Sequence, residues 1–406
     1  MCHDDVSSLS ENMAELTWRS VASALAAGGA LSAVRTCAYF ASFLGALAYV
    51  LHAFPWRALF KQRPLLLLLV PSFSLTALVL TWRLILLFMV EFTTRYEAHP
   101  DPPNLFVEAY ALVSHMPAGW WWSSSLLCWV TVASPVAHVE VARRRMPARI
   151  ALAYICVAFL GAVSLAFPLL FAHLLSLAPR GKPVLREASA SGRGSQLWPM
   201  CVGAALAAIV AMPLSVHDAR PVFILALVIV HVVLALPYAR AALTRPKSKV
   251  DNGATAAALA LSPGALRVLA GLTAALHLYA TASALTQLRS GTTHESFMSL
   301  ARDLVGAAAS NVCQASIAID AALSSVAGIA FMLLSAEPDE IVHASACCLL
   351  SPFIGPAAGL ALFCARRAER DGAAPRKSST HKADKASASR RPARRVASRS
   401  PSRRVR

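Results

Sequence analysis

The chain has 406 residues, 57% of them hydrophobic and only 15% charged, with a mean hydropathy of +0.55. That balance excludes an ordinary soluble globular domain and leaves no stretch for a separate water-soluble catalytic domain. The formal charge of +17 does not mark a nucleic-acid binder, because from Arg366 onward 15 Lys and Arg face 3 Asp and Glu, so that +12 of the total sits at one end.

In chain order, the opening "MCHDDVSSLSENMAELTWRS" is polar and acidic where a signal peptide is basic and then apolar. The first hydrophobic helix is therefore expected to serve as the insertion signal. Crossing a hydrocarbon layer of ~30 Å takes about 20 helical residues. Runs of that kind lie at 36–54, 64–90, 120–141, 150–177, 198–216, 221–243, 264–284, 317–335 and 342–364. They predict an all-α, polytopic integral membrane helical bundle of about eight transmembrane helices, within a range of about 7–9. It spans residues 36–365, after a polar segment and lead-in at 1–35 and before a basic Ser/Arg-rich tail at 366–406. The tail is too poor in apolar residues to fold and is expected to be disordered and drawn to anionic lipid headgroups. No internal repeat is visible, which speaks against a carrier built from duplicated halves.

Lys and Arg are retained on the cytosolic side of a membrane. The loops with Arg57, Lys61 and Arg63, and with Arg143, Arg144, Arg145 and Arg149, are accordingly predicted to be cytosolic together with the tail, in a membrane expected to be the endoplasmic reticulum. The segment 91–119, with Glu91, Glu97, Asp101 and Glu108, falls on the opposite side. One loop resists. "TRPKSKVDN" at 244–252 is basic, yet simple alternation puts it opposite the tail. Either one run does not cross, or this loop breaks the rule.

"EFTTRYEAHPDPPN" leaves the second run, and Pro100, Pro102 and Pro103 forbid continued helix. Residues 105–115 then read as a short interfacial helix with Glu108, Leu112 and His115 on one face and Ala109 and Tyr110 turned away. Trp120, Trp121 and Trp122 open the next run at headgroup depth, where an aromatic belt accounts for them. Three consecutive rings point about 100° apart on a helix, so at least one faces the interior. Asp320 is the clearest ionisable residue within a run, either a proton donor or a partner for Arg83 or Arg267. His138, His231 and His277 read as hydrogen-bonded packing residues. The connection 213–223, with His217, Asp218 and Arg220, reads as a tight turn on the side opposite Glu108. The nine cysteines form no CxxC pair and no zinc-ligand spacing with histidine. P-loop, GxSxG, HExxH and diphosphate-binding aspartate patterns are absent, so no metal and no cofactor are expected.

The order "PNLFVEAYALV", "GWWWSSSLLCWV", "HVEVARRRMPARIALAYICVAFLGAVSLAFPLLF" and "RPVFILALVIVHVVLALPY", spanning 104–238, resembles multi-pass membrane proteins of fungal natural-product pathways. Among these are the noncanonical membrane-bound terpene cyclases of meroterpenoid biosynthesis. The resemblance implies acid-initiated cyclisation of an epoxidised or linear prenyl chain, with a lipophilic prenylated substrate and membrane lipids as partners and no nucleic acid. Position and chemistry make Glu108 the candidate proton donor, Asp320 a second acid, and Glu91 and Glu97 further acids. Trp120, Trp121 and Trp122 would form a cation-stabilising wall, with Tyr110 and His115 as substrate contacts. The rival expectation is a non-enzymatic multi-pass protein: a metabolite transporter, a structural component, or a viral envelope protein with a basic tail.

Overall fold

A computed structural model describes residues 29–96, 104–177, 196–243, 261–291 and 297–373, and among these every regular element is an α-helix. Seven helices are long and apolar enough to cross a membrane: α1 (Gly29–Ala53), α3 (Pro64–Tyr96), α5 (Pro117–Arg143), α8 (Leu197–Ser215), α9 (Arg220–Leu243), α10 (Pro263–Gly291) and α12 (Val312–Ser335). Shorter helices link them: α2 (Trp56–Gln62), α4 (Leu105–Leu112), α6 (Ala148–Leu160), α7 (Val163–Ser176), α11 (Phe297–Ala308), α13 (Ile341–Ile354) and α14 (Pro356–Ala373). Large apolar side chains such as Leu65, Leu68 and Leu69 on α3, Leu225 and Val232 on α9, and Val268 on α10 are exposed. Facing hydrocarbon, they cost nothing; only helices, whose backbone groups pair internally, can present them there. This is an integral membrane bundle, as its composition predicts.

Two predicted spans are not spans. The 150–177 run divides into α6 and α7, of 13 and 14 residues, each ~20 Å long and short of the ~30 Å hydrocarbon layer. The first enters beside the basic turn at Arg143–Arg145 and the second returns there. His173 near the end of α7 lies 3.1 Å from Tyr154 Oη on α6, and its ring meets Phe54 at the basic end of α1, 6.0 Å between centroids. The 342–364 run likewise divides into α13 and α14. Gly355 breaks it at φ +89°, a region that favours glycine, and Pro356 then starts the second helix. Arg367 on α14 comes back to Glu340 at the start of α13, at 3.1 Å, and to Ser335 Oγ at the end of α12, at 3.2 Å.

These two helical hairpins resolve the orientation conflict. Trp198 at the start of α8 packs 5.6 Å from the His138 ring near the basic end of α5. Because α6–α7 does not cross, α8 runs away from the basic face and α9 runs back to it. The segment 244–252, outside the described residues, thus follows a helix that ends at the basic face. By the same logic the 213–223 connection lies on the side of Glu108, not opposite it: Arg220 at the start of α9 pairs with Glu108.

The element order also repeats, although the sequence shows no internal repeat. A long helix, a short helix at the non-basic end, a second long helix and a hairpin occur as α3, α4, α5, α6–α7 and again as α10, α11, α12, α13–α14. The two sets exchange partners. Helix α3 packs on α12, α10 packs on α5, and α5 and α12 meet each other. At that meeting a Cβ on Gly328 would lie 2.9 Å from Trp129 Nε1, so only glycine lets the helices approach this closely. Trp129, Phe167, Phe171 and Phe331 then run through the centre, the first pair edge to face at 4.9 Å between rings and the last pair stacked at 4.2 Å.

Candidate functional site

Breaking a helix inside the bundle strands carbonyls at the end of the first half and N–H groups at the start of the second, where no water can reach them. At the tip of α6–α7 the chain leaves helix at Gly161 and becomes extended at Ala162 (φ −157°, ψ 140°). Side chains from elsewhere answer both sets of groups. The Tyr39 hydroxyl on α1 donates to the Leu160 carbonyl. The Asp320 carboxylate on α12 accepts from the Val163 N–H at 3.1 Å and the Ser164 N–H at 2.6 Å. Asp320 is thus an N-cap supplied by a different helix, set where the α7 dipole favours negative charge. The Ser164 and Ser324 hydroxyls flank it. A Cβ on Gly161 would overlap the Phe43 ring, which explains the small residue at the bend.

Beside this tip lies an open cavity bounded by α1, α3, α4, α5, α8, α9, α12 and the bend itself. Its wall is largely apolar and aromatic, with Tyr39, Phe40, Phe106, Tyr110, Trp120 and Phe159. Polar groups converge near the tip. Tyr110 Oη lies 3.3 Å from His231 Nε2, while His231 Nδ1 lies 2.8 Å from the Leu227 carbonyl. The carbonyl can only accept, so Nδ1 carries the proton and Nε2 accepts from Tyr110. Burial, reinforced by neighbouring Tyr39 and Asp320, pushes the Tyr110 phenol above its ordinary range, so it stays neutral.

Of the residues expected to act, Asp320, Trp120 and Tyr110 meet in this wall. Asp320 pairs with neither Arg83 nor Arg267 in the expected way: the tip of α7 holds it, and Arg267 pairs with Glu369. Glu108 does not face the cavity. The Asn104 side chain caps α4 by accepting from Phe106 N at 3.0 Å and Val107 N at 3.2 Å, and the helix ends at Leu112. In that frame Leu105, Phe106, Ala109 and Tyr110 turn inward and Glu108 turns to the rim, where Arg220 meets it. The expected faces are reversed because the apolar residues have a cavity to line. His115 lies beyond the helix, exposed, its ring 6.2 Å from that of His217.

Among the three tryptophans only Trp120 lines the cavity, at 4% exposure. The other two face the second repeat: Trp121 Nε1 donates to Thr281 Oγ1 on α10 at 2.8 Å, and Trp122 Nε1 to the Leu304 carbonyl on α11 at 3.2 Å. Glu91, near the end of α3, is half-buried and outside the cavity lining, and Glu97 lies outside the described residues. No cluster of three or more His, Cys, Asp or Glu that could hold a metal ion occurs among the described residues. Sequence reasoning missed Tyr39 and the bend at Gly161; the one available signal was the glycine inside "AFLGAVSL". Compared with models of protein families, with curated proteins and with solved structures, the chain matches none.

Proposed function

We propose that this chain is a membrane carrier whose cargo is a lipophilic small molecule held in the intramembrane cavity. The observation that supports this most is the cavity wall formed by a broken helix, with its two ends held by side chains from α1 and α12. Discontinuous helices deep in the bundle and a repeated set of elements are the means by which carriers build a binding site that can face either side. Two devices would gate it. Helix α4 covers the non-basic side and is tied to α9 through Glu108–Arg220 and Tyr110–His231. The α6–α7 hairpin stands between the cavity and the basic face, which in this reading is cytosolic with the tail.

The test is flux of a panel of lipophilic fluorescent compounds across vesicles with and without the protein. In a cysteine-free background, a reducible bifunctional thiol cross-linker joining Glu108→Cys on α4 to Arg220→Cys on α9 should abolish protein-dependent flux, and its reduction should restore it. Equal flux in empty and protein-containing vesicles across the panel would overturn the carrier reading.

A second reading, the acid-initiated cyclisation of a prenyl chain in meroterpenoid biosynthesis, draws support from Asp320, Trp120 and Tyr110 sharing one largely apolar volume, since aromatic faces stabilise a carbocation. Against it, each Asp320 oxygen already accepts a backbone N–H at the tip of α7, a contact that favours the ionised carboxylate over a proton donor. Incubating membranes with epoxidised farnesyl-aromatic compounds would favour cyclisation if a protein-dependent isomer of unchanged mass formed.

A further inference from the structure

We infer that the ligand of the α6–α7 cavity is a lipophilic cation, an apolar body carrying a protonated amine, with Asp320 as its counter-ion; this rests on the cavity being the ligand site. The argument is an account of what the wall can still offer. Asp320 is the one carboxylate among the residues that line the cavity, and no Lys or Arg stands with it. The hydroxyl donors nearby are largely committed. Tyr39 donates to the Leu160 carbonyl and Tyr110 to His231. Thr81 donates to the Ala77 carbonyl at 2.7 Å, Ser123 to Val113 at 2.9 Å and Ser316 to Thr81 at 3.3 Å. Each of these oxygens keeps lone pairs and has no proton left to give. His231 is committed at both nitrogens.

The α7 N-terminus, the natural place for an anion in this wall, is filled by Asp320 itself. What remains, beside the Thr36 and Ser114 hydroxyls and the Trp120 N–H, is acceptor oxygens, a carboxylate with spare lone pairs, and the π faces of Trp120, Phe40 and Phe106. An ammonium group satisfies all three: it donates to the oxygens, pairs with the carboxylate, and is attracted to aromatic faces. A carboxylate or phosphate of equal bulk meets a like charge and few donors. An alcohol falls between, gaining a hydrogen bond without the charge. The apolar remainder of the wall excludes small hydrated cations, whose desolvation it cannot replace.

The experiment compares three probes sharing one apolar cage, adamantylmethylamine, adamantylmethanol and adamantane carboxylate, binding to the full chain in lipid nanodiscs by equilibrium dialysis. An Ala109→Trp variant, which fills the cavity, separates site binding from partition into lipid. The expected result is amine binding at least about tenfold tighter than alcohol, carboxylate weakest, all blocked by Ala109→Trp, with Asp320→Asn removing the preference for amine. If alcohol or carboxylate bound as tightly as amine, still blocked by Ala109→Trp, the cavity would stand as a site and its charge class would be wrong. If no probe showed binding sensitive to Ala109→Trp, the cavity itself would fail as a ligand site. The wild-type ratio and Ala109→Trp decide the matter even if Asp320→Asn does not fold.

Discussion

The α6–α7 and α13–α14 hairpins enter the bundle from the same face, follow corresponding long helices and turn back inside it, yet their surroundings differ. The first uses borrowed side chains, Tyr39 and Asp320, and leaves a cavity at its tip. The second combines Gly355 at φ +89° and Pro356 with a borrowed side chain of its own: His277 on α10 hydrogen-bonds the Pro352 carbonyl, packed so that a Cβ on Gly355 would lie 3.0 Å from its ring. Its base is clamped as well, with Arg367 on Glu340 and Arg370 on Asp339 at 3.1 Å. The repeated architecture thus carries a cavity at the tip of the first hairpin and an ion-pair clamp at the base of the second.

The largest effect should come from removing the borrowed cap. Asp320→Ala strands two buried N–H groups, and a loss of about 2–5 kcal/mol in thermal or denaturant unfolding in detergent is expected. Asp320→Asn keeps one acceptor and should lose about half of that. Equal stability of the alanine variant and wild type would show that the cap does not hold the bend.

At the second hairpin, Arg367→Met leaves buried Glu340 with only Arg370, 3.3 Å from its other oxygen. A loss of about 2–4 kcal/mol should appear in the same unfolding measurement, with probe binding in the α6–α7 cavity unchanged. Coupling between the two would contradict the division of roles.

Gly161→Ala should cost about 1–3 kcal/mol through the Phe43 ring. Adding Phe43→Ala should recover part of it, read as a positive coupling in a double-mutant cycle. Smallest of all, Glu108→Gln should change stability by only ~0–1 kcal/mol, because Arg220 is 52% exposed and solvent screens the pair. Turnover of a prenyl substrate lost in that variant would restore Glu108 as an acid and count against its position at the rim.

The pattern of success in reading the sequence follows from what each signal measures. Asp320 stands out because a carboxylate in an apolar run is costly and needs a reason. Its partner was not legible, since the N–H groups it binds lie 157 residues earlier and become donors only where a helix breaks. Apolarity reports how much chain avoids water, not its path, so 150–177 and 342–364 read as crossings. Pro168 sits inside α7 without ending it, while Gly161 does end α6. The visible clue was indirect: the basic loop at 244–252 fitted the charge rule only if an earlier run turned back. The reversed faces of α4 have another cause. Eight residues are too few for periodicity to choose between solvent, lipid and an internal cavity.

The most direct measurement is the side on which Leu177 emerges. In a cysteine-free background, Leu177→Cys, Arg145→Cys and His115→Cys are each labelled with a membrane-impermeant maleimide added to one side of sealed vesicles of known orientation. A hairpin requires Leu177→Cys to react from the same side as Arg145→Cys and opposite His115→Cys. Labelling of Leu177→Cys together with His115→Cys would mean that α6–α7 crosses, and the tip, the cavity beside it and the carrier reading would fall with it.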